Sequence, residues 1–509
     1  MDDKKPILCV LGVEGQFYLA KALRDEFQRP IIGIASSQRV IEMMTSERRA
    51  IFTKIYSLPD FYLEQIGPIQ KLTRTQLDLE QRTLEMELGL THGRLFAFYD
   101  RTLSTLGDDD KLRQWELCNL RFARKILAEV QPAFMIDGVV TYLQHVLRNA
   151  CRKHDTPRLM TFPTRTRTER IGFYHENGHQ IGMQTIFETL QSGDRSGLTP
   201  DLMARADEEF EFFINAPSRP SYASRNSVLG FDIRRIYRKA KWALRAEHVF
   251  PSERVRRVDR AMNMESSTRA IAVGAFVSKC RRISQTFFDV FEDTPDLAVP
   301  FAYLPLHYAP EISDCYFGTL YDHHEGFVTQ LAKFIPSHMY LYVKEHTSML
   351  GRRPTSFYRN LARLPNVRII HPQISTFDLM AAAAVTMTVT GTAGWEAFLL
   401  GKPVVALGNV FYNYLPGVLH CPLNMDFSPK LADFLNDFQS SQMTSRNAYR
   451  ACYASSFPGV TVDIGHSTTY EKAVEDAQNY ARQTRLAIEQ FGPEIGSSFG
   501  RVSTCPAMP

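Results

Sequence analysis

Three chemically active side chains in a row, Lys344, Glu345 and His346, end an apolar run that extends from Met339 to Val343. Lysine offers a point charge suited to phosphate. Histidine can donate to phosphate or to a pyrimidine base, and it can shuttle protons. The competing reading is a solvated loop in which Glu345 pairs with Lys344. An exposed pair of that kind is worth only about 0–1 kcal/mol, so stability gives little reason for it. Three further runs in the same half end on comparable chemistry. "YLPLHYAPEISD" carries His307 and Glu311, "TVTGTAGWEAFLLGKPVV" carries Thr390, Gly391, Thr392, Gly394 and Glu396, and "ALGNVFYNY" carries Gly408, Asn409 and Tyr412.

The glycine-containing run is the most specific of the four. A strand feeds a turn of small residues that opens a helix. Gly391 and Gly394 let a ligand approach the backbone closely, and the N–H groups and dipole of the helix start suit a phosphate. Glu396, in the first helical turn, is placed to accept from ribose hydroxyls. The plainer alternatives are that Glu396 complements the helix dipole and that the glycines only allow tight packing. For His307 the alternative is a buried, hydrogen-bonded structural histidine.

These endings need elements that bring them to one edge. "PILCVLGVEGQFYLAKALRDEF" reads as strand, glycine turn and helix, and "RPIIGIASSQRV" as the next strand. The same grammar returns in "AFMIDG", "VVTYLQHVLRNACRKH" and "PRLMTF", and again in "PFAYLPL", "MYLYVK", "VRIIHP", "VTMTVTG" and "KPVVALG" with helical spacers. Strands alternating with helices predict parallel sheets. The expectation is an α/β protein of two doubly wound, Rossmann-like domains facing across a cleft. Residues 1–217 form the first domain, 218–296 a basic helical linker, 297–465 the second domain, and 466–509 a terminal helix and tail. In such sheets ligands bind outside the carboxy ends of the strands, so all four endings of the second half would share one edge.

The first half offers candidate carboxylates and cations. Asp137 ends a strand and either faces the cleft as a catalytic carboxylate or caps the following helix. Glu14 in "GVEGQF" is a second candidate on the same logic. Arg165, Arg167 and Arg170 follow another strand. They suit bidentate recognition of an acidic acceptor or of a donor carboxylate, with a solvated basic loop as the alternative. The acidic cluster Asp108–Asp110 lies among helical segments and reads as a helix start; no metal site is expected.

Composition bounds the rest. The chain has 509 residues, 44% hydrophobic and 22% charged, with a formal net charge of +4. It can bury substantial cores, and the charge is too small over this length to point to nucleic acid. Eight scattered cysteines form no C-x-x-C pair, which fits thiols in a reducing compartment. The amino terminus does not read as a signal peptide, and the longest largely apolar stretch, Leu379 to Val389, is too short to span a bilayer. A cytoplasmic location is expected. The segment Arg234–Arg260 is rich in Arg and Lys with Trp242 interleaved. It reads either as a helix lying on the inner face of a membrane or as a linker helix with a solvated face.

"PLHYAPE", "YVKEH", "NVRIIHP" and "VTGTAGWEAFLLGKPVV" together resemble the carboxy-terminal half of the bacterial capsule polysaccharide biosynthesis proteins. The resemblance covers about Phe301 to Tyr414. It implies the two-domain glycosyltransferase-B fold, a role in capsule synthesis or export, and a CMP-activated donor of Kdo, an eight-carbon acidic sugar, used as substrate with no separate cofactor. It implies that Lys344 and His346 contact the donor nucleotide, that Thr390, Gly391, Thr392 and Gly394 lie at its phosphate, and that Glu396 binds ribose or sugar. His307 and Glu311 would line the same cleft, with His307 a catalytic candidate; Asn409 and Tyr412 are cleft candidates by their position after a strand. The implied partners are a nucleotide-sugar, a glycan or glycolipid acceptor and the capsule assembly machinery. One departure is that Thr347 stands where the family usually has proline. A transferase using CDP-glycerol or a UDP-sugar, and a non-catalytic accessory protein of capsule assembly, are the alternatives.

Overall fold

The computed structural model describes residues 5–12, 14–90, 109–137, 141–175, 178–195, 198–217, 278, 280–285, 290–308, 318–461 and 469–497. Glu311, Asp108 and the basic segment Arg234–Arg260 lie outside the described residues, as does the side chain of Asp137.

Fourteen strands fall among the described residues. In chain order they are β1 (Ile7–Leu11), β2 (Ile31–Ala35), β3 (Lys54–Ser57), β4 (Phe134–Asp137), β5 (Arg158–Pro163), β6 (Arg170–Tyr174), β7 (Phe291–Glu292), β8 (Phe301–Pro305), β9 (Tyr340–Lys344), β10 (Val367–Ile370), β11 (Val385–Thr388), β12 (Val404–Ala406), β13 (Val418–His420) and β14 (Ser456–Pro458). They form two seven-stranded sheets. The runs ILCVL and IIGIA are buried along their whole length. Burial on both faces is what a parallel strand covered by helices requires, and it explains why these strands lack polar alternation.

The first sheet has the order β14-β6-β5-β4-β1-β2-β3 and the second β13-β12-β11-β8-β9-β10-β7. Pairing is parallel within β3 to β5 of the first sheet and throughout the second; β6 and β14 add antiparallel. The strand order therefore reverses between β1 and β4, and again between β8 and β11. At such switch points the connections leave in opposite directions and open a crevice at the carboxy ends. The two doubly wound sheets expected from the sequence are present.

The chain does not finish in the second sheet. The helix Gln442–Ala454 packs against the helices Met183–Gln191 and Pro200–Asn215. Arg450 makes a two-pronged bond to Asp207, with both N–O distances 2.7 Å, and Tyr449 donates to Glu209 at 2.9 Å. Ser456–Pro458 then pairs with Arg170–Gly172 of the first sheet. The last helix, Tyr470–Ser497, lies against the helix Gly15–Phe27. A single apolar cluster joins Met160, Tyr174, Phe187 and Phe210 with Phe301, Trp395, Phe411, Tyr412 and Tyr449. The two sheets are thus tied by shared core as well as by the returning chain.

Candidate functional site at the carboxy edge of the second sheet

His307 leaves β8 two residues after its end, and Thr390 leaves β11 two residues after its end. The main-chain N–H of Thr390 points to His307 Nε2 at 3.4 Å, so the two meet over the switch point. Directly beyond, the helix Thr392–Leu399 begins at Gly391, whose backbone is extended and which carries no side-chain cap. Thr388 Oγ1 accepts the Gly391 N–H at 2.8 Å. Tyr412, reached through the loop after β12, donates its hydroxyl to the Gly391 carbonyl. The turn is therefore fixed by one side chain from β11 and one from the loop after β12, with the helix start directed at the crevice end.

Close packing alone dictates both glycines. A Cβ on Gly394 would stand 2.4 Å from Tyr412 Oη, and one on Gly391 would stand 2.6 Å from Thr388 Oγ1 and 3.1 Å from His307 Cε1. Glycine at these positions is explained without a ligand. What the ligand reading retains is the uncapped helix start and the histidine facing it.

At the end of β9 the solvated-loop reading fails. Lys344 is 4% exposed and Glu345 2%. They do not pair with each other. Lys344 Nζ donates to Thr376 Oγ1 at 2.7 Å, while Glu345 is bonded to Arg353 at 2.7 Å, to the Tyr358 hydroxyl at 2.9 Å and to the His346 N–H at 2.6 Å. Burial raises the Glu345 pKa, and those three donors oppose the rise. His346 Nδ1 accepts the Ser348 N–H at 3.2 Å, which caps the short turn that follows. Its ring stands edge-on to Tyr308, with centroids 6.0 Å apart. The Tyr308 hydroxyl is held by Arg352 at 2.6 Å.

The first sheet contributes Arg165. It lies two residues beyond β5 and close enough to Tyr412 to lower that phenol's pKa, against burial, the larger effect, and the Glu396 carboxylate, which raise it. Arg165 from the first half of the chain and Glu396 from the second thus both act electrostatically on Tyr412. Arg167 goes elsewhere. Its guanidinium lies 3.6 Å from the Phe212 ring centroid, and its N–H is bonded to Glu209 at 2.9 Å. Arg170 is bonded to Ser456 at 2.8 Å and holds the returning strand. Asn409 is exposed just past β12. Glu14 is exposed beside β1, with Tyr18 donating to it at 3.1 Å and Arg48 paired to it. Asp137 closes the neighbouring β4, so both acidic candidates stand beside the first sheet's switch point.

Sequence reasoning missed Arg353, Tyr358, His324 and Thr376. Arg353 sits eight residues past Glu345 in a segment that reads as loop, and Tyr358 lies on a helix. Nothing in their spacing announces that both turn back to one buried carboxylate. Among the described residues, no group of three or more His, Cys, Asp or Glu is arranged to hold a metal ion, and no helix is long and apolar enough to cross a membrane.

Fold and site together define a double α/β protein in which His307, Thr390 and a helix start meet at the switch point of the second sheet. Residues 313–420 match the family described as capsule polysaccharide biosynthesis protein, and the resemblance read from the motifs is borne out. The FixF protein of Sinorhizobium fredii (strain NBRC 101917 / NGR234) is 31% identical over 131 residues, which cover 23% of this chain and 29% of that protein. This chain thus matches less than a third of that relative's length. Among solved structures, the Thermosulfurimonas dismutans KpsC beta Kdo 2,4 transferase aligns with 12% identity and a TM-score of 0.31, over 64% of this chain and 85% of that one. The beta Kdo 2,7 transferase of the same protein aligns with 9% identity and a TM-score of 0.33, over 64% and 79%. The UDP-GlcNAc 2-epimerase of Neisseria meningitidis aligns with 12% identity and a TM-score of 0.22, over 88% and 99%.

Proposed function

We propose that this protein is a glycosyltransferase of capsule or surface polysaccharide biosynthesis. It moves Kdo or a related acidic sugar from a CMP-activated donor to a glycan or glycolipid. The observation that carries the reading is the meeting of His307 with Thr390 over the second sheet's switch point, beside an uncapped helix start. The match of residues 313–420 to the capsule family supports the same pathway class.

In this reading the donor phosphate lies against Thr390, Gly391, Thr392 and Gly394, with Lys344 and His346 on the neighbouring strand end facing the nucleotide. Glu396 takes ribose or sugar hydroxyls. Arg165, brought over from the first sheet, suits the carboxylate of an acidic sugar through paired N–H bonds. Asp137 or Glu14 takes the proton of the acceptor hydroxyl. The acceptor oxygen then bonds to the anomeric carbon. The bond from that carbon to the donor phosphate oxygen breaks, and CMP leaves as an anion stabilised by the helix start, His307 and Lys344. Peripheral contact with the inner face of a membrane, through Arg234–Arg260, brings the enzyme to lipid-linked acceptors.

The test is release of CMP from CMP-Kdo by the full chain, with and without glycolipid acceptors, set against UDP-sugars and CDP-glycerol. Acceptor-dependent CMP release supports the proposal. Turnover of UDP-sugar or CDP-glycerol alone replaces the donor. No turnover and no nucleotide binding in the folded protein leaves the accessory role in capsule assembly.

A further inference from the structure

One buried ion pair lies behind both site histidines. The Arg353 side chain is 10% exposed and that of Glu345 is fully buried. Arg353 Nε donates to Glu345 Oε2 at 2.7 Å, and its Nη2 donates to the His307 carbonyl at 3.0 Å and to His324 Nδ1 at 2.6 Å. Its guanidinium also rests over the Phe357 ring, 4.9 Å from the centroid. Glu345 in turn accepts the His346 N–H with its other oxygen, at 2.6 Å, and the Tyr358 hydroxyl at 2.9 Å. The main chain at 307, after β8, and the main chain at 346, after β9, are thereby held by opposite ends of the same pair.

His324 completes the arrangement as a neutral acceptor. Burial first, and then Arg353 and His323, push its pKa down to about 3. The chain reaches Arg353 through a tight turn at Gly351, where φ is +84° and a Cβ would stand 2.4 Å from the Ser278 carbonyl. Stability is a poor explanation for so elaborate a return. Replacing a buried ion pair by apolar side chains is often neutral or stabilising, because the desolvation penalty offsets the attraction.

We propose that Arg353 and Glu345 are positioning residues which set His307 and His346 in register for one anionic ligand spanning the ends of β8 and β9. The proposal rests on the nucleotide-site reading above and adds to it the residues that act through the histidines. Lysine at 353 would keep the charge but cannot bridge Glu345 and the His307 carbonyl with a planar fork.

The experiment compares wild type, Arg353→Lys, His307→Ala and the double variant, all as the full chain. Three quantities are measured: CMP affinity by calorimetry, thermal unfolding, and the imidazole resonances of His307 and His346. Arg353→Lys is expected to fold, to bind CMP about 10-fold or more weakly, and to shift both imidazole signals. Adding His307→Ala to it should cost little more, because the histidine is already displaced. Wild-type affinity in the folded lysine variant, or fully additive losses, would overturn the proposal. If wild type itself binds no nucleotide, the function reading fails. The positioning claim then stands or falls on whether both imidazole signals move. Should Arg353→Lys not fold, Tyr358→Phe removes one Glu345 donor and is read the same way.

Discussion

Thr390 donates its main-chain N–H to His307 Nε2 at 3.4 Å, across the point where the second sheet reverses its strand order. The distance is long for a hydrogen bond. The Thr390 N–H is therefore well placed to turn to a stronger acceptor, with the His307 ring beside it. His307→Ala should weaken phosphate-bearing ligands by about 10- to 100-fold, the range for hydrogen bonds to charged groups. The unfolding temperature should stay nearly unchanged. Titration of wild type and variant with CMP, alongside thermal melts, checks this.

Lys344 separates function from stability. It is 4% exposed and donates to Thr376. A buried cation costs stability that an apolar side chain does not. Lys344→Met is expected to melt at the same or a higher temperature while losing most nucleotide affinity. A clear fall in melting temperature would show that the lysine serves the core.

Gly394 and Tyr412 are coupled sterically. Gly394→Ala should destabilise by about 1–3 kcal/mol, since its Cβ would stand 2.4 Å from Tyr412 Oη. In a Tyr412→Phe background the same change should cost less, because the clashing oxygen is gone. Denaturant unfolding of the four proteins closes the cycle.

Acid stability follows from two buried histidines. Burial pushes His324 down to about 3, and His179 down to about 4 with help from His175 and His420. Each binds fewer protons folded than unfolded between that value and its ordinary value of 6.5. Stability from these groups is thus complete above about pH 6.5 and is lost as pH falls toward 4 and 3. His324→Gln should flatten that slope in unfolding measured from pH 7 to 4, while wild type should steepen through the window.

The sheets are readable because their inner strands are buried on both faces and so appear as uninterrupted apolar runs, ended by the residues that line the carboxy edge. That is why Lys344, His346, His307 and Thr390 could be picked out by position. The return of Ser456–Pro458 to the first sheet was not readable, since three residues carry no pattern of their own. For Glu345 sequence order offers only Lys344 as a partner, and only as the competing solvated-loop reading. Its real partner, Arg353, comes back through a turn. Arg165 and Arg167 look equivalent in "FPTRTRTERIGFYHE". Only packing sends one toward Tyr412 and the other onto Phe212.

The central claim is that the carboxy edge of the second sheet holds a nucleotide. The most direct measurement is calorimetric titration of the full chain and of His346→Ala with CMP, CDP, UMP, UDP and GDP. The account predicts that CMP binds best and that the histidine variant loses about 10-fold or more in affinity. Equal affinity in the variant, or no binding of any nucleotide by the folded wild type, would contradict it.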